Sequence, residues 1–538
     1  MACGFLMKRL AGNSVGHCRE HGYENDHTAM HQDGSALLNK AGAGTAVVGS
    51  VGSRWVMKAV LIFAAAFAIY FVTRSPGLDE WDSVQFAMGI REFNLWKHQP
   101  HPPGYPLYIF FAWLPVRLFG WSPEFSLHLV SCAGGAFFVT AWFCIIRLQF
   151  GERFAWLVAG TLAITPVVWM TSTRVLTDSL AAGLLSVQLF SSLLFREQGR
   201  TKQLIAIALF GAAASGVRPQ LLPVALLILI TPLFHQRVGI KVWLTGGGIF
   251  IVGCLLWLVP TWYLQSTLPA PVSGWRSYPA QLYSQWLWRF TNPSVFIGGS
   301  HITALNFAKQ FALHILGWFG IGLGFLWSPF TLIAGTLLAA CGLIFCAARF
   351  DDRDRNFRKT HWAWALLQIA IVFCFLPADQ RYYLVIMPLL LVALLRGFLY
   401  MPSPFRFAVF LLPALLLCIS IAAAIESHSD PAPPIKLVRL LQEQYPPEQR
   451  GDVLLFLAHC QRHFKWYAPE FTVFDNLPSS AVPRERLEKA KAIYTDEPRL
   501  ARAPGWQLIL AAEFSRSVVI YGKHHDIRLF RVERVSAP

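Results

Sequence analysis

Three acidic side chains lie within four residues of one another, just after the first long apolar run of the chain. They are Asp79, Glu80 and Asp82. At this spacing, mutual repulsion and partial burial would raise the pKa of one carboxyl and suit it to proton abstraction. The same oxygens could instead bind a divalent cation. A solvated loop with helix-capping acids is the non-catalytic alternative.

Basic residues recur where other apolar runs end. Arg174, Arg218 and Arg381 stand at such ends, and Asp178 follows the first of them. Arginine binds phosphate through two parallel hydrogen bonds, so three of them facing one compartment suit a lipid-linked phosphate. Each could also be an anchor that reaches lipid headgroups.

A histidine- and proline-rich run, residues 98–106, closes the segment that the acids open. His98 and His101 could each bind a metal or a phosphate. The alternative is that the run forms only a rigid, polyproline-like turn.

The composition indicates the class of protein that must position these side chains. Of 538 residues, 55% are hydrophobic and only 14% are charged, as expected of a polytopic membrane protein. The formal charge of +16 lies in short loops between apolar runs, a pattern that encodes membrane orientation and argues against nucleic-acid binding. Most of the ten cysteines lie inside apolar runs and no C-x-x-C pair occurs, which indicates small core residues.

Apolar runs of suitable length predict about eleven membrane spans, with two further ambiguous runs at 105–121 and 310–327. The predicted spans are 55–73, 125–146, 154–172, 178–195, 203–217, 219–234, 242–262, 329–348, 361–377, 382–399 and 405–425. Lysine and arginine concentrate in the loops 147–153, 196–202, 235–241, 349–361 and 396–406, which predicts a cytoplasmic location for these loops. The candidate site residues then fall on the outer side, and 105–121 is expected to lie along the outer surface.

The two ends of the chain differ from this central region, 55–425. Residues 1–54 are polar and are predicted to form a disordered cytoplasmic tail; a native start at Met57 is an additional hypothesis, which N-terminal mass spectrometry would test. Residues 426–538 are charged and punctuated by proline. Strand-like runs at 453–457, 471–474, 506–511 and 518–521 and helix-like runs at 461–467 and 484–491 predict a small α/β domain outside the membrane.

Four short motifs carry a family resemblance. The run 82–87 (DSVQFA), in the predicted first outer loop 74–124, resembles the D-E-x-x-[FY]-[AG] signature of the GT-C membrane glycosyltransferases, which include protein O-mannosyltransferases and the lipid A aminoarabinose transferase. The run 101–104 (HPPG) resembles their H-P-P-[LG] motif, and 174–178 (RVLTD) resembles R-x-x-[ST]-D. Arg381 and Tyr382 before Pro388 are similar to R-Y-x-x-x-x-x-P.

The resemblance implies a GT-C-like α-helical fold of about 11–13 transmembrane helices, to which the composition of 426–538 adds a small C-terminal α/β extracytoplasmic domain. It implies an inverting transfer of a sugar from a polyprenyl-phosphate donor to a lipid, glycan or protein acceptor at the outer face of the plasma membrane. Asp82 would be the base, with Asp79 or Glu80 supplying a second carboxylate because Ser83 replaces the glutamate of the signature. The donor would contact His98, His101, Arg174, Asp178, Arg218, Arg381 and Tyr382.

The sequence leaves the cofactor, the acceptor and two alternative functions open. No cofactor is assigned; a divalent cation is left open, with Asp82 and Asp178 as candidate ligands. Acceptor choice is assigned to the loop 263–309, where Trp275, Trp286 and Trp288 are either sugar-stacking faces or interfacial tryptophans, or to the C-terminal domain. The alternative functions are a transporter or flippase, which should show mid-span charges and internal duplication, and a non-catalytic scaffold.

Overall fold

The computed structural model describes residues 53–236, 238–269, 271–284, 303–349, 351–375, 380–474, 484–497, 506–516 and 526–534. The chain divides into two compact units, Met1–Val56 and Met57–Pro538. Of the first unit, only residues 53–56 at the start of a helix are described. All contacts discussed below belong to the second unit.

Helices dominate the chain up to residue 429. The first part contains α1 (Ser53–Val72), α2 (Trp81–Arg91), α3 (Pro106–Phe119), α4 (Pro123–Phe150), α5 (Glu152–Ala163), α6 (Pro166–Thr173), α7 (Asp178–Gln198), α8 (Thr201–Val217), α9 (Leu222–Gln236) and α10 (Ile240–Thr267). The second contains α11 (Ser277–Leu282), α12 (Ala304–Ile315), α13 (Pro329–Ala348), α14 (Asp352–Phe375), α15 (Met387–Tyr400) and α16 (Ala408–Ser429). Short 3₁₀ turns and the π-helical turn Leu316–Gly322 connect several of these helices.

The described helices agree with the prediction of a multi-pass membrane protein. Seven are long and apolar enough to cross a membrane, and α5 with α6 makes an eighth if this pair, bent by 59°, is one span. The predicted span 154–172 is therefore broken, because Pro166 has no N–H to continue the helix. Several other predicted spans correspond to shorter apolar helices, among them α8 and the helical segment Pro219–Phe234. The predicted total of about eleven membrane spans stays a prediction.

Two helices form the centre of the bundle. The most apolar windows of α4 and α7 are 78% and 83% buried, whereas that of α1 is only 17% buried. Glycines let α4 and α7 approach each other closely: a Cβ on Gly134 would overlap the backbone of Leu180, and one on Gly183 would lie 2.7 Å from the Gly134 carbonyl oxygen. Small residues at a helix interface permit this backbone contact. Since Asp178 begins α7, this packing also fixes one candidate site residue.

The C-terminal region contains α17 (Pro433–Gln444), α18 (Gln461–Tyr467) and α19 (Arg484–Lys489), with strands β1 (Val453–Phe456), β2 (Thr472–Phe474), β3 (Ala492–Thr495), β4 (Trp506–Phe514) and β5 (Ile527–Arg534). The five strands form one sheet in the order β2-β1-β3-β5-β4. Strand β1 is parallel to both its neighbours, and β5 is antiparallel to β3 and β4.

A small α/β domain was predicted here, and a small sheet with helices is present. Sequence reasoning located β1, α18, β2, α19 and β4 and missed α17, β3 and β5. The predicted strand at 518–521 lies outside the described residues.

The C-terminal domain contacts the segment between α1 and α2. The Leu78 N–H donates to the Tyr467 hydroxyl at 2.9 Å, and the Trp466 indole N–H donates to Glu124 at 2.7 Å. These contacts place the C-terminal domain at the same end of the helix bundle as the predicted first outer loop.

Candidate active site

Asp82 lies in the first turn of α2. The N-terminus of a helix stabilises negative charge, so a carboxylate is favoured at this position. One carboxylate oxygen of Asp82 accepts a hydrogen bond from Arg381 at 3.2 Å, and the other lies 3.8 Å from Nδ1 of His101. Asp82, the predicted base, thus lies between His101 and Arg381, two other predicted site residues that are far apart in the sequence.

The orientation of His101 is fixed by hydrogen bonds at both ring nitrogens. Nδ1 lies 2.6 Å from Oε1 of Gln85, which also accepts from the His101 backbone N–H. Because an amide oxygen only accepts, Nδ1 carries the proton. In the neutral ring, Nε2 then accepts from the Tyr105 hydroxyl at 2.8 Å. Burial raises the pKa of Tyr105, so this hydroxyl keeps its proton.

Asp79 and Glu80 face a different pair of cations. Arg174 lies 2.9 Å from Glu80 and 3.5 Å from Asp79, and Arg516 of the C-terminal domain lies 2.8 Å from Asp79. All four side chains are buried. Burial raises the pKa of Glu80, an effect that Arg174 and Arg381 oppose and that Asp79 and Asp82 reinforce to a lesser extent. The expected raised carboxyl pKa therefore occurs at Glu80, chiefly from desolvation and only secondarily from mutual repulsion.

Arg218 and Asp178 form a third charged group. Arg218 is paired with Asp178, and its guanidinium lies 4.7 Å from the ring centre of Tyr382. These three residues line a pocket together with Gln220, Gln368, Arg381 and apolar residues of α7, α14 and the turn Gln380–Ile386. Because Arg381 also contacts Asp82, the pocket adjoins the predicted base.

The structure therefore brings together most of the predicted site residues. The three connected groups contain nine of them: Asp79, Glu80, Asp82, His101, Arg174, Asp178, Arg218, Arg381 and Tyr382. His98 takes no part in the ion pairs named above; burial and the nearby Arg462 lower the pKa of its ring.

The other predicted residues are the candidate metal ligands and the tryptophans of the loop 263–309. Within the part of the chain that the structure describes, no group of three or more His, Cys, Asp or Glu is arranged to hold a metal ion. The two candidate ligands Asp82 and Asp178 each face an arginine. Trp275 is exposed, and Trp286 and Trp288 lie outside the described residues.

Sequence reasoning missed three residues with structural roles here. Gln85 lies inside the quoted motif, so its position was the available signal for its bond to His101. Ser83, noted only as a departure from the signature, is buried and donates to the Val175 carbonyl at 2.8 Å. Arg516 is 437 residues from Asp79 in a region without a motif, and nothing in the sequence pointed to their pairing.

Fold and site together define a multi-pass membrane protein with a charged pocket at one end of its helix bundle. The family model described as dolichyl-phosphate-mannose-protein mannosyltransferase matches residues 100–263. The protein O-mannosyl-transferase TMEM260 of Mus musculus is 26% identical over 190 residues, which are 35% of this chain and 26% of that relative's length. These matches confirm the resemblance to GT-C membrane glycosyltransferases and support a transferase.

Two solved structures are also similar to parts of this chain. ArnT from Cupriavidus metallidurans bound to undecaprenyl phosphate has a TM-score of 0.41 and 15% identity, covering 90% of this chain and 98% of the other. The oligosaccharyltransferase of Archaeoglobus fulgidus, in complex with Zn and sulfate, has a TM-score of 0.47 and 13% identity, covering 81% of this chain and 68% of the other.

Proposed function

We propose that this protein is an inverting glycosyltransferase that moves a sugar from a polyprenyl-phosphate donor to a lipid, glycan or protein acceptor on the outer face of the membrane. The observation that carries the proposal is the position of Asp82. Its carboxylate lies at a helix N-terminus between Arg381 and His101, and Arg381 also lines the adjoining pocket. A carboxylate and two arginines, Arg218 and Arg381, therefore adjoin one cavity, as a base and a phosphate site would require.

In the proposed reaction, Asp82 accepts the proton of the acceptor hydroxyl. The acceptor oxygen bonds to the anomeric carbon of the sugar from the side opposite the phosphate, and the bond from that carbon to the phosphate oxygen breaks. Polyprenyl phosphate leaves with its bonding electrons, so one displacement inverts the anomeric centre. Such a leaving group needs positive charge and no strong acid, a role assigned to Arg218 and Arg381.

Asp79 and Glu80 receive a supporting role in this scheme. Both are more deeply buried than Asp82, and both are paired with Arg174. Asp82 is the least buried of the three carboxylates, and its partner Arg381 lines the pocket, so an acceptor hydroxyl reaches Asp82 most directly. We assign proton abstraction to Asp82 and the placement of the loop to Asp79 and Glu80.

The test is an assay of purified protein in lipid with radiolabelled polyprenyl-phosphate sugars and crude membrane acceptors. Mannose is included in the panel because the matching family model and the curated relative are mannosyltransferases. Asp82→Asn should lower turnover by about 100-fold or more, the range of a lost general base. Asp352→Asn, at the exposed acid that begins α14, is the matched control.

Thermal unfolding of both variants shows whether they are folded. Transfer that disappears only in Asp82→Asn supports the proposal and names the donor. Full turnover by Asp82→Asn would contradict the role of Asp82. No turnover of any donor, with an Asp82→Asn variant that still complements a deletion strain, would contradict the enzyme and favour transport or scaffolding.

A further inference from the structure

We propose that Arg516 is a positioning residue for Asp82, through which the C-terminal domain holds the segment 77–80 that leads into α2. This inference rests on the proposed function, since it concerns the same carboxylate. It assigns the C-terminal domain a part in the chemistry in addition to any part in acceptor choice.

The first support is the charge pairing at Asp79. Arg516 follows β4 and is almost fully buried, as is Asp79, and the two side chains are 2.8 Å apart. Arg174 approaches the same oxygen of Asp79 at 3.5 Å. A buried carboxylate needs a partner, so the removal of Arg516 would leave the charge on Asp79 incompletely compensated. Arg516 also donates to the backbone carbonyl of Asp430, which connects α16 to α17.

The second support is the neighbouring backbone. Leu78 donates its N–H to the Tyr467 hydroxyl at 2.9 Å, and its carbonyl oxygen lies 3.0 Å from Nε2 of His463. Both polar backbone groups of Leu78 are thus bonded to side chains of α18. Gly77 lies close enough to Ile435 and Tyr467 that an added Cβ would be 2.9 Å and 3.1 Å from their nearest atoms. This part of the loop therefore lies directly against the domain.

The third support comes from the two ends of α2 itself. The Arg462 guanidinium lies 4.6 Å from the ring centre of Trp81, the first residue of the helix. The Arg91 guanidinium, at its last residue, lies 3.8 Å from the ring centre of Trp466. Helix α18 thus contacts α2 at both ends, and Asp82 lies in the part of α2 between them.

These contacts have a consequence for catalysis. Asp82 is three residues beyond Asp79, and displacement of a reacting group by about 1 Å can cost about 100-fold in rate. Loosening segment 77–80 should therefore lower kcat, while the pocket residues that bind the donor, Arg218 and Tyr382, keep their own contacts. A residue that acted only on stability would not separate kcat from KM in this way.

The test compares Arg516→Gln with the matched control Arg528→Gln. Arg528 is in the same sheet, where it pairs with Glu513 at an exposed site. We expect kcat to fall at least about tenfold in Arg516→Gln, with KM for the donor changed less than about twofold. Arg516→Lys, which keeps the charge, should recover part of the loss. Hydrogen–deuterium exchange should become faster at residues 77–82 in Arg516→Gln and stay unchanged in Arg528→Gln.

A double-mutant cycle with Asp79→Asn tests the pairing itself. If Arg516 acts through Asp79, the double variant should lose little more activity than either single variant. If Arg516→Gln does not fold, Tyr467→Phe, which removes the hydroxyl at Leu78, replaces it in the same measurements.

Two outcomes would overturn the proposal: wild-type kcat in the folded variant, or unchanged exchange at 77–82. A wild-type protein that turns over no donor would contradict the proposed function. An active wild type with unaffected Arg516 and Tyr467 variants would contradict only the positioning role.

Discussion

Ser83 occupies the position at which the resembled signature has a glutamate. The side chain is fully buried, and its hydroxyl donates to the Val175 carbonyl next to Arg174. A hydroxyl can donate to that carbonyl, whereas an ionised carboxylate can only accept. The position is therefore adapted to link α2 to the loop before α7.

This difference gives a prediction about stability. Ser83→Glu should lower the free energy of unfolding by about 3 kcal/mol or more, because it buries a carboxylate beside a carbonyl oxygen. Ser83→Ala should cost only about 1 kcal/mol, the usual value for one lost hydrogen bond. Thermal unfolding in detergent measures both. A stable, more active Ser83→Glu would show instead that the signature glutamate can be restored here.

The stacking of Arg218 on Tyr382 gives a second prediction. Lysine keeps the charge of arginine but lacks its planar fork and its stacking on Tyr382. Arg218→Lys should therefore raise KM for the donor about tenfold and affect kcat less, if this residue binds the donor phosphate in the ground state. Steady-state kinetics measure the change, with Arg355→Lys, at an exposed arginine, as the control. An unchanged KM together with an unchanged kcat would remove Arg218 from the proposed phosphate site.

Close packing of α4 against α7 positions part of the site. Gly134 of α4 lies against the backbone of Leu180 in α7, the helix that begins with Asp178. Gly134→Ala should separate the two helices and cost about 1–3 kcal/mol of stability, as overpacking does. Gly160→Ala in α5, where an added Cβ meets nothing within 4 Å, should change stability by less than about 1 kcal/mol. Thermal unfolding compares them, and equal effects would contradict the packing argument.

Helix α18 gives stability a dependence on pH. Burial lowers the pKa of His463 to about 4, with a smaller lowering effect from Arg462, although the Leu78 carbonyl and Asp79 raise it. The unfolded chain, with an ordinary histidine pKa of about 6.5, takes up this proton first as the pH falls. Stability from neutral His463 is thus complete above about pH 6.5 and lost progressively toward pH 4.

Unfolding temperatures measured from pH 7.5 to 4.5 test this expectation. His463→Gln should flatten the decline, by about 2 kcal/mol at pH 5. Glu80, whose pKa burial raises, contributes the opposite slope, but it is present in both proteins and cancels in the comparison. Parallel curves for the wild type and the variant would contradict the assignment.

Local patterns account for the parts of the site and the fold that could be predicted. The helices and most C-terminal elements follow from apolar periodicity, and Asp82, His101, Arg174 and Arg381 follow from motifs of a few residues. The break at Pro166 could also have been predicted, because proline interrupts helical hydrogen bonding. Strands β3 and β5 were missed because their place in the sheet depends on partners distant in sequence.

The least predictable feature of the molecule is the contact between its C-terminal domain and the loop before α2. Arg516 meets Asp79 because the sheet and α18 dock on the loop before α2, and no periodicity or spacing encodes such docking. The separation of the acids into two groups has the same origin. Asp79 and Glu80 face Arg174, whereas Asp82 faces Arg381, which arrives from the turn before α15.

The contacts between the C-terminal domain and the first loop also sharpen the predicted orientation. Whichever way the bundle crosses the membrane, the C-terminal domain and Asp82 must lie on the same side, because Arg516 and His463 contact the segment before α2. The lysines and arginines of the opposite loops then predict that this side is the outer one. In a bacterial host, alkaline phosphatase fused to the C-terminus should be active, and a green fluorescent protein fused there should be dark. Fusions after Gly199, between α7 and α8, should show the reverse. A fluorescent C-terminal fusion would show that the predicted membrane orientation is inverted. The proposed sugar transfer would then take place on the cytoplasmic face.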